Sequence, residues 1–178
     1  MEKNWNEIRE LAGEYAEANL LSGLNCAESV YDACIRSGAI DASLDTVGYL
    51  SGFGGGGGAS GYTCGALAGA IFVNGVVHGR KNPGARSKEE RGNELRERVY
   101  KRYNNMVSAF IKKAGSGLCK DIVAGAGGYV DPKNKGNCAR VTGEAARIAV
   151  DYLQIDEDKV KDFQYDMSII EIPDWREK

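Results

Sequence analysis

The chain has 178 residues, 43% hydrophobic and 27% charged, with a formal net charge of −2. That balance suits one folded domain spanning residues 1–178 with its own core, and excludes a disordered chain. Charges of both signs are interspersed, so nucleic acid is not an expected partner, and no apolar stretch approaches bilayer length.

Residues 5–20 place Trp5, Ile8, Leu11, Ala12 and Tyr15 on one helical stripe, and Gly23 follows as a C-terminal stop. A second helix is expected from about Asn25 to Ser37, and a short third one after Asp41 using Leu44, Val47 and Leu50. The run SGFGGGGGASG, residues 51–61, suits neither a helix nor a strand interior. Residues 63–77 read as a buried helix in which Gly65 and Gly69 allow another backbone to approach, with a strand open as an alternative for the second half. Residues 87–113 form the clearest helix. Ser87 and Glu90 make a capping box, Leu95, Val99, Tyr103, Met106, Val107 and Phe110 form the stripe, and Glu94–Arg98 and Glu97–Lys101 pair on the wet side. A last long helix carries Val141, Ala145, Ile148 and Tyr152, and the tail from Met167 to Trp175 reads as a short extended segment. The expected class is all-α. The N-terminus lacks the order of a signal peptide, which makes the cytoplasm the expected location.

Five cysteines in such a chain point to metal or redox chemistry rather than structural disulfides. There is no CxxC, so zinc ribbons, ferredoxin runs and thioredoxin-type dithiols do not match. Cys26 follows Asn25 and Cys138 follows Asn137, both cap-type residues. Cys64 follows Thr63, and Cys119 follows Gly117-Leu118. Each of the four is therefore expected at a helix start, where free N–H groups favour the thiolate. Cys34 lies two turns along the second helix with no cap beside it and reads as a buried bystander. A four-thiolate centre of this kind suits an iron–sulfur cluster, [2Fe–2S] in particular, for electron transfer. A structural zinc site and a metal-free thiol–disulfide or sensing system remain open beside it.

Other candidates are weak. The glycine run satisfies GxGxxG trivially, without a preceding strand or a later acidic residue. No Walker motif or nucleophile elbow is present. His78 reads as a helix end, with Arg80 and Lys81 in a solvated turn.

The segments NCAESV (25–30), SGFGGG (51–56), TCGALAG (63–69), LC (118–119) and NCARV (137–141) resemble, in order, the C_GCAxxG_C_C family of redox-active proteins. The chain departs from the GCAxxG element by reading Thr63-Cys64-Gly65, with Cys64 still filling the cysteine slot. The family is also similar to part of the split-Soret cytochromes, which carry an iron–sulfur centre beside their haems. The resemblance implies a cluster on Cys26, Cys64, Cys119 and Cys138. It implies no haem here, because His78 is the single histidine and no attachment motif occurs. The partners expected are a redox protein and, as an open option, a second copy in a homodimer. An electron carrier serving an oxidoreductase is the expected role, with no catalytic residue of its own.

Overall fold

A computed structural model describes residues 3–124 and 131–167. These fold as an all-α protein. Its helices are α1 (Trp5–Ser22), α2 (Cys26–Arg36), α3 (Gly65–His78), α4 (Lys88–Glu94), α5 (Tyr100–Ala114), α6 (Cys119–Ala124), α7 (Pro132–Leu153) and α8 (Glu157–Lys161). Two 3-10 segments, Leu44–Phe53 and Pro83–Ala85, and a π-helical turn, Leu95–Val99, complete the order.

Local chemistry sets most boundaries. Asn4 caps α1 and Asn25 caps α2, the latter in a full capping box with Glu28. Gly23 ends α1 at φ 117°, and its N–H bonds Asn19 O and Leu20 O. Ser87 and Glu90 close the expected box at the start of α4. The second half of 63–77 is helical, so the strand alternative falls away. The helix after Asp41 differs more: it is a 3-10 helix that runs on through Ser51 and Gly52 to Phe53, into the stretch expected to be loop. Tyr31 Oη bonds Thr46 Oγ1 (2.9 Å) and holds this segment on α2.

The core gathers around α7, which packs against α1, α2, α3 and α5. In α1 the buried line is Ala12, Gly13 and Ala16, while Tyr15, expected on the stripe, is exposed. Small side chains win that face because α7 comes close. A Cβ on Gly13 would meet the Arg147 guanidinium, and one on Gly143 the Glu17 carboxylate. Met106 and Phe110 from α5 enter the core as expected, and Val141, Ala145 and Ile148 line it from α7. The π turn interrupts the continuous helix expected over 87–113, although both pairs form there, Glu94–Arg98 at 2.8 Å and Glu97–Lys101 at 3.5 Å. The tail expected to be extended lies, beyond Met167, outside the described residues. None of the described helices is long and apolar enough to cross a membrane.

Candidate functional site

Cys26 is the first residue of α2. The Asn25 side chain accepts from the N–H groups of Ala27 and Glu28 (2.9 and 3.0 Å), and the Glu28 carboxylate accepts from Asn25 N (3.0 Å). Asn25 Nδ2 also donates to Ser51 O (3.2 Å), and Ser51 Oγ donates to Glu28 Oε1 (2.6 Å). The start of α2 is thereby tied to the end of the 3-10 helix.

Cys64 reaches Cys26 because α3 crosses α2 through glycine. A Cβ at Gly69 would lie 2.8 Å from Ala27 O, and one at Gly65 would lie 2.8 Å from Phe53 O and 3.2 Å from the Cys26 Cβ. Cys64 is itself the N-cap of α3, with Gly65 as first helical residue, so the start is one residue later than expected.

Cys119 is brought alongside Cys64 by a short antiparallel clasp. Thr63 and Leu118 form an isolated bridge. Cys64 N donates to Gly117 O (2.8 Å), Cys119 N to Tyr62 O (2.7 Å) and Lys120 N to Gly61 O (2.9 Å). The glycine run supplies the approach to this clasp. Residues Gly55 to Ala59 all have positive φ, and a Cβ on Gly56 would collide with Tyr62 N (2.5 Å) and crowd the Cys119 Cβ (2.9 Å).

Cys138 corrects the expectation. It does not open a helix; it lies well inside α7, which begins at Pro132 under an Asp131 cap bonded to Lys133 N (2.8 Å). A cap followed by proline at the first helical position is a stronger start than Asn137. Asn137 instead turns its amide to Ile122 O (3.4 Å), and Asn134 Nδ2 donates to Val123 O (3.1 Å), so α6 is pinned beside Cys138.

The four cysteines line one small cavity, of about 10 Å³, with Ile122, Val123, Val141 and Thr142. Cys34, fully buried elsewhere in α2, does not. All five cysteines are free thiols. Among the described residues no three His, Cys, Asp or Glu side chains stand close enough to share one metal ion. The thiols surround the cavity without forming a tight tetrahedron.

Burial works against the expected thiolates. Burial pushes Cys26 up to about 11, with the neighbouring Cys138 and Cys119 adding to the rise. Burial and then Cys26 push Cys64 up to about 12, against the pull of the Ala66 and Leu67 N–H groups, which close no cap bond of ordinary geometry. Cys138 is pushed up to about 11 by burial and then by Cys64 and Cys119, and burial raises Cys119 as well. Desolvation and crowding of like groups therefore outweigh the helix ends. A metal entering here would have to displace protons.

Sequence reasoning missed one polar wall residue. Thr142 is fully buried, and its Oγ1 has no hydrogen-bond partner. It lies four residues after Cys138, hence on the same face of α7, which was the available signal.

A family model described as "Putative redox-active protein (C_GCAxxG_C_C)" matches residues 24–152, well over half of the chain. The chain belongs to this family. The matched span begins just before Cys26 and ends in the last turn of α7, so the C_GCAxxG_C_C region holds all of the described residues that line the cavity. No curated protein and no solved structure matches the chain.

Proposed function

We propose that Cys26, Cys64, Cys119 and Cys138 are the ligands of an iron–sulfur centre, [2Fe–2S] in type, and that the protein is a one-electron carrier. One observation carries this reading: four cysteines from separate elements meet at one cavity while the fifth stays outside. By donor chemistry the residues fit. Four sulfurs select iron–sulfur or zinc over harder metals. Sulfurs spread around a cavity, rather than gathered on one ion, suit ligands shared between two irons. The cavity as it stands is smaller than such a centre, so loading requires the side chains to turn outward.

When bound, the centre supplies a one-electron couple. The chain's own residues do the rest. The Asn25–Glu28 box and the 61–64/117–120 clasp hold three of the cysteines in place. Ile122, Val123 and Val141 keep water from the sulfurs. Tyr62 and Leu118, both exposed, precede the clasped cysteines by two residues and one, so the centre lies just beneath a surface that a redox partner can reach.

The test is iron, zinc and acid-labile sulfide content with visible absorption, on protein purified without oxygen. The parent and Cys34→Ser should each hold about two irons and two sulfides per chain. Serine at Cys26, Cys64, Cys119 or Cys138 should lose or distort the chromophore, because a hydroxyl is a harder, poorly ionised donor. Zinc without sulfide would make the site structural. Reversible disulfides with no metal would replace the cluster reading by thiol–disulfide chemistry.

A further inference from the structure

Among the described residues, Thr142 is the one polar side chain other than the cysteines on the cavity wall, and it is 0% exposed. A threonine inside a helix usually returns its hydroxyl to the carbonyl four residues back. Thr142 Oγ1 makes no such bond and none of good geometry to any other group. A buried hydroxyl left in this state is costly, so the position is unfavourable for the thiol form of the site. It shares the cavity wall with Cys26 and lies within reach of its sulfur.

We propose that Thr142 is a positioning residue that donates its hydroxyl hydrogen bond to sulfur at the Cys26 side of the centre and thereby sets its reduction potential. The inference rests on the iron–sulfur reading above. On reduction the centre takes one electron from a one-electron reductant. No bond is made or broken, and the proton stays on Thr142 Oγ1. The reduced state carries one more negative charge, so a hydroxyl donor stabilises it more than the oxidised state and raises the potential.

The experiment compares the parent, Thr142→Val and Thr142→Ser. Iron-loaded samples are titrated anaerobically with dithionite and mediator dyes while visible absorption is followed. Metal-free samples are melted. Thr142→Val should keep its iron and become harder to reduce by about tenfold in the redox equilibrium constant, about 59 mV for one electron. Thr142→Ser, which keeps the donor, should return towards the parent. In the metal-free chain Thr142→Val should melt no lower than the parent, because it removes a buried group that makes no hydrogen bond of good geometry. An unchanged potential in iron-loaded Thr142→Val, or a Thr142→Ser potential as low as that of the valine variant, overturns the assignment. A clear loss of metal-free stability in Thr142→Val overturns it too, by making the residue a packing group. If the parent binds no iron, the cluster reading fails and takes this inference with it. That result is distinct from loaded protein with an unmoved potential.

Discussion

Arg102 is 1% exposed, among the most deeply buried side chains of the protein, yet nothing in its sequence context marks it. It sits on α5 between core residues, and a guanidinium inside an amphipathic helix reads as surface. The structure turns it onto the C-terminal end of α7. Nη1 donates to Tyr152 O (2.6 Å) and Nη2 to Ile155 O (2.7 Å), with Glu157 at 3.4 Å. His78 adds its Nε2 to Leu153 O (3.1 Å) and its Nδ1 to Glu157 (2.8 Å). The carbonyls that a helix end leaves open are thus met by side chains from two other helices. Arg102→Met should cost about 3 kcal/mol, since it leaves these carbonyls buried without donors. Urea denaturation of the metal-free chain measures this; a loss below about 1 kcal/mol would show that water replaces the guanidinium. Thr142 escaped for the opposite reason. Its type is ordinary in a helix, and only the lack of a well-formed hydrogen bond makes it unusual. The cysteines were legible because their type is rare and their neighbours are of cap type, although of those neighbours only Asn25 caps a helix.

The crossing of α2 and α3 depends on two glycines, and here the sequence was informative. Two glycines four apart in an apolar helix signal close approach, and Gly65 and Gly69 meet the α2 backbone and Phe53 O as that spacing implies. Gly69→Ala would place a Cβ 2.8 Å from Ala27 O, a backbone atom that cannot turn away. The helices must separate, at roughly 1–3 kcal/mol, and Cys26 and Cys64 separate with them. Metal content should therefore fall in Gly69→Ala along with stability. Gly52→Ala, whose Cβ would meet nothing within 4 Å, should change neither. Full metal loading in Gly69→Ala, measured beside that control, would show that the crossing does not position the sulfurs. Boundaries were less legible. Asn137 looked like a cap, but Asp131-Pro132 overrode it, and the π turn over Leu95–Val99 left no trace in a pattern that continues at helical spacing through it.

For the whole molecule, acid and alkali should act on different parts. Burial alone would raise the carboxyls of Glu94 and Glu157. Arg98 bonds both, Arg86 acts on Glu94, and Arg102 and His78 act on Glu157, and together they hold both below the ordinary carboxylate value of 4.5. A depressed folded value means stability that is complete above the unfolded value and is lost as pH falls through the folded one. Cys34 is the reverse case. Burial raises it from 9.0 to about 12, so its contribution is complete below about pH 9 and drains away as pH rises towards 12. The metal-free chain should be most stable between these limits. Cys34→Ala should flatten part of the alkaline slope and leave the acid slope as it was; an alkaline slope identical to the parent's would refute the assignment. The all-α class was readable from periodicity, because amphipathic helices declare their faces. The meeting of four distant cysteines was expected from their contexts and the family resemblance, but how they meet was not readable, because it depends on the clasp between residues 61–64 and 117–120, and no local pattern encodes that pairing. A CxxC site fits within a single turn and can be cut out of its protein as a working piece. The clasp forbids that here. No contiguous segment shorter than Cys26 to Cys138 contains all four sulfurs, and no segment lacking either half of the clasp can set Cys64 beside Cys119. The cavity is therefore indivisible: any fragment cut between residues 26 and 142 inherits cysteines without inheriting the site.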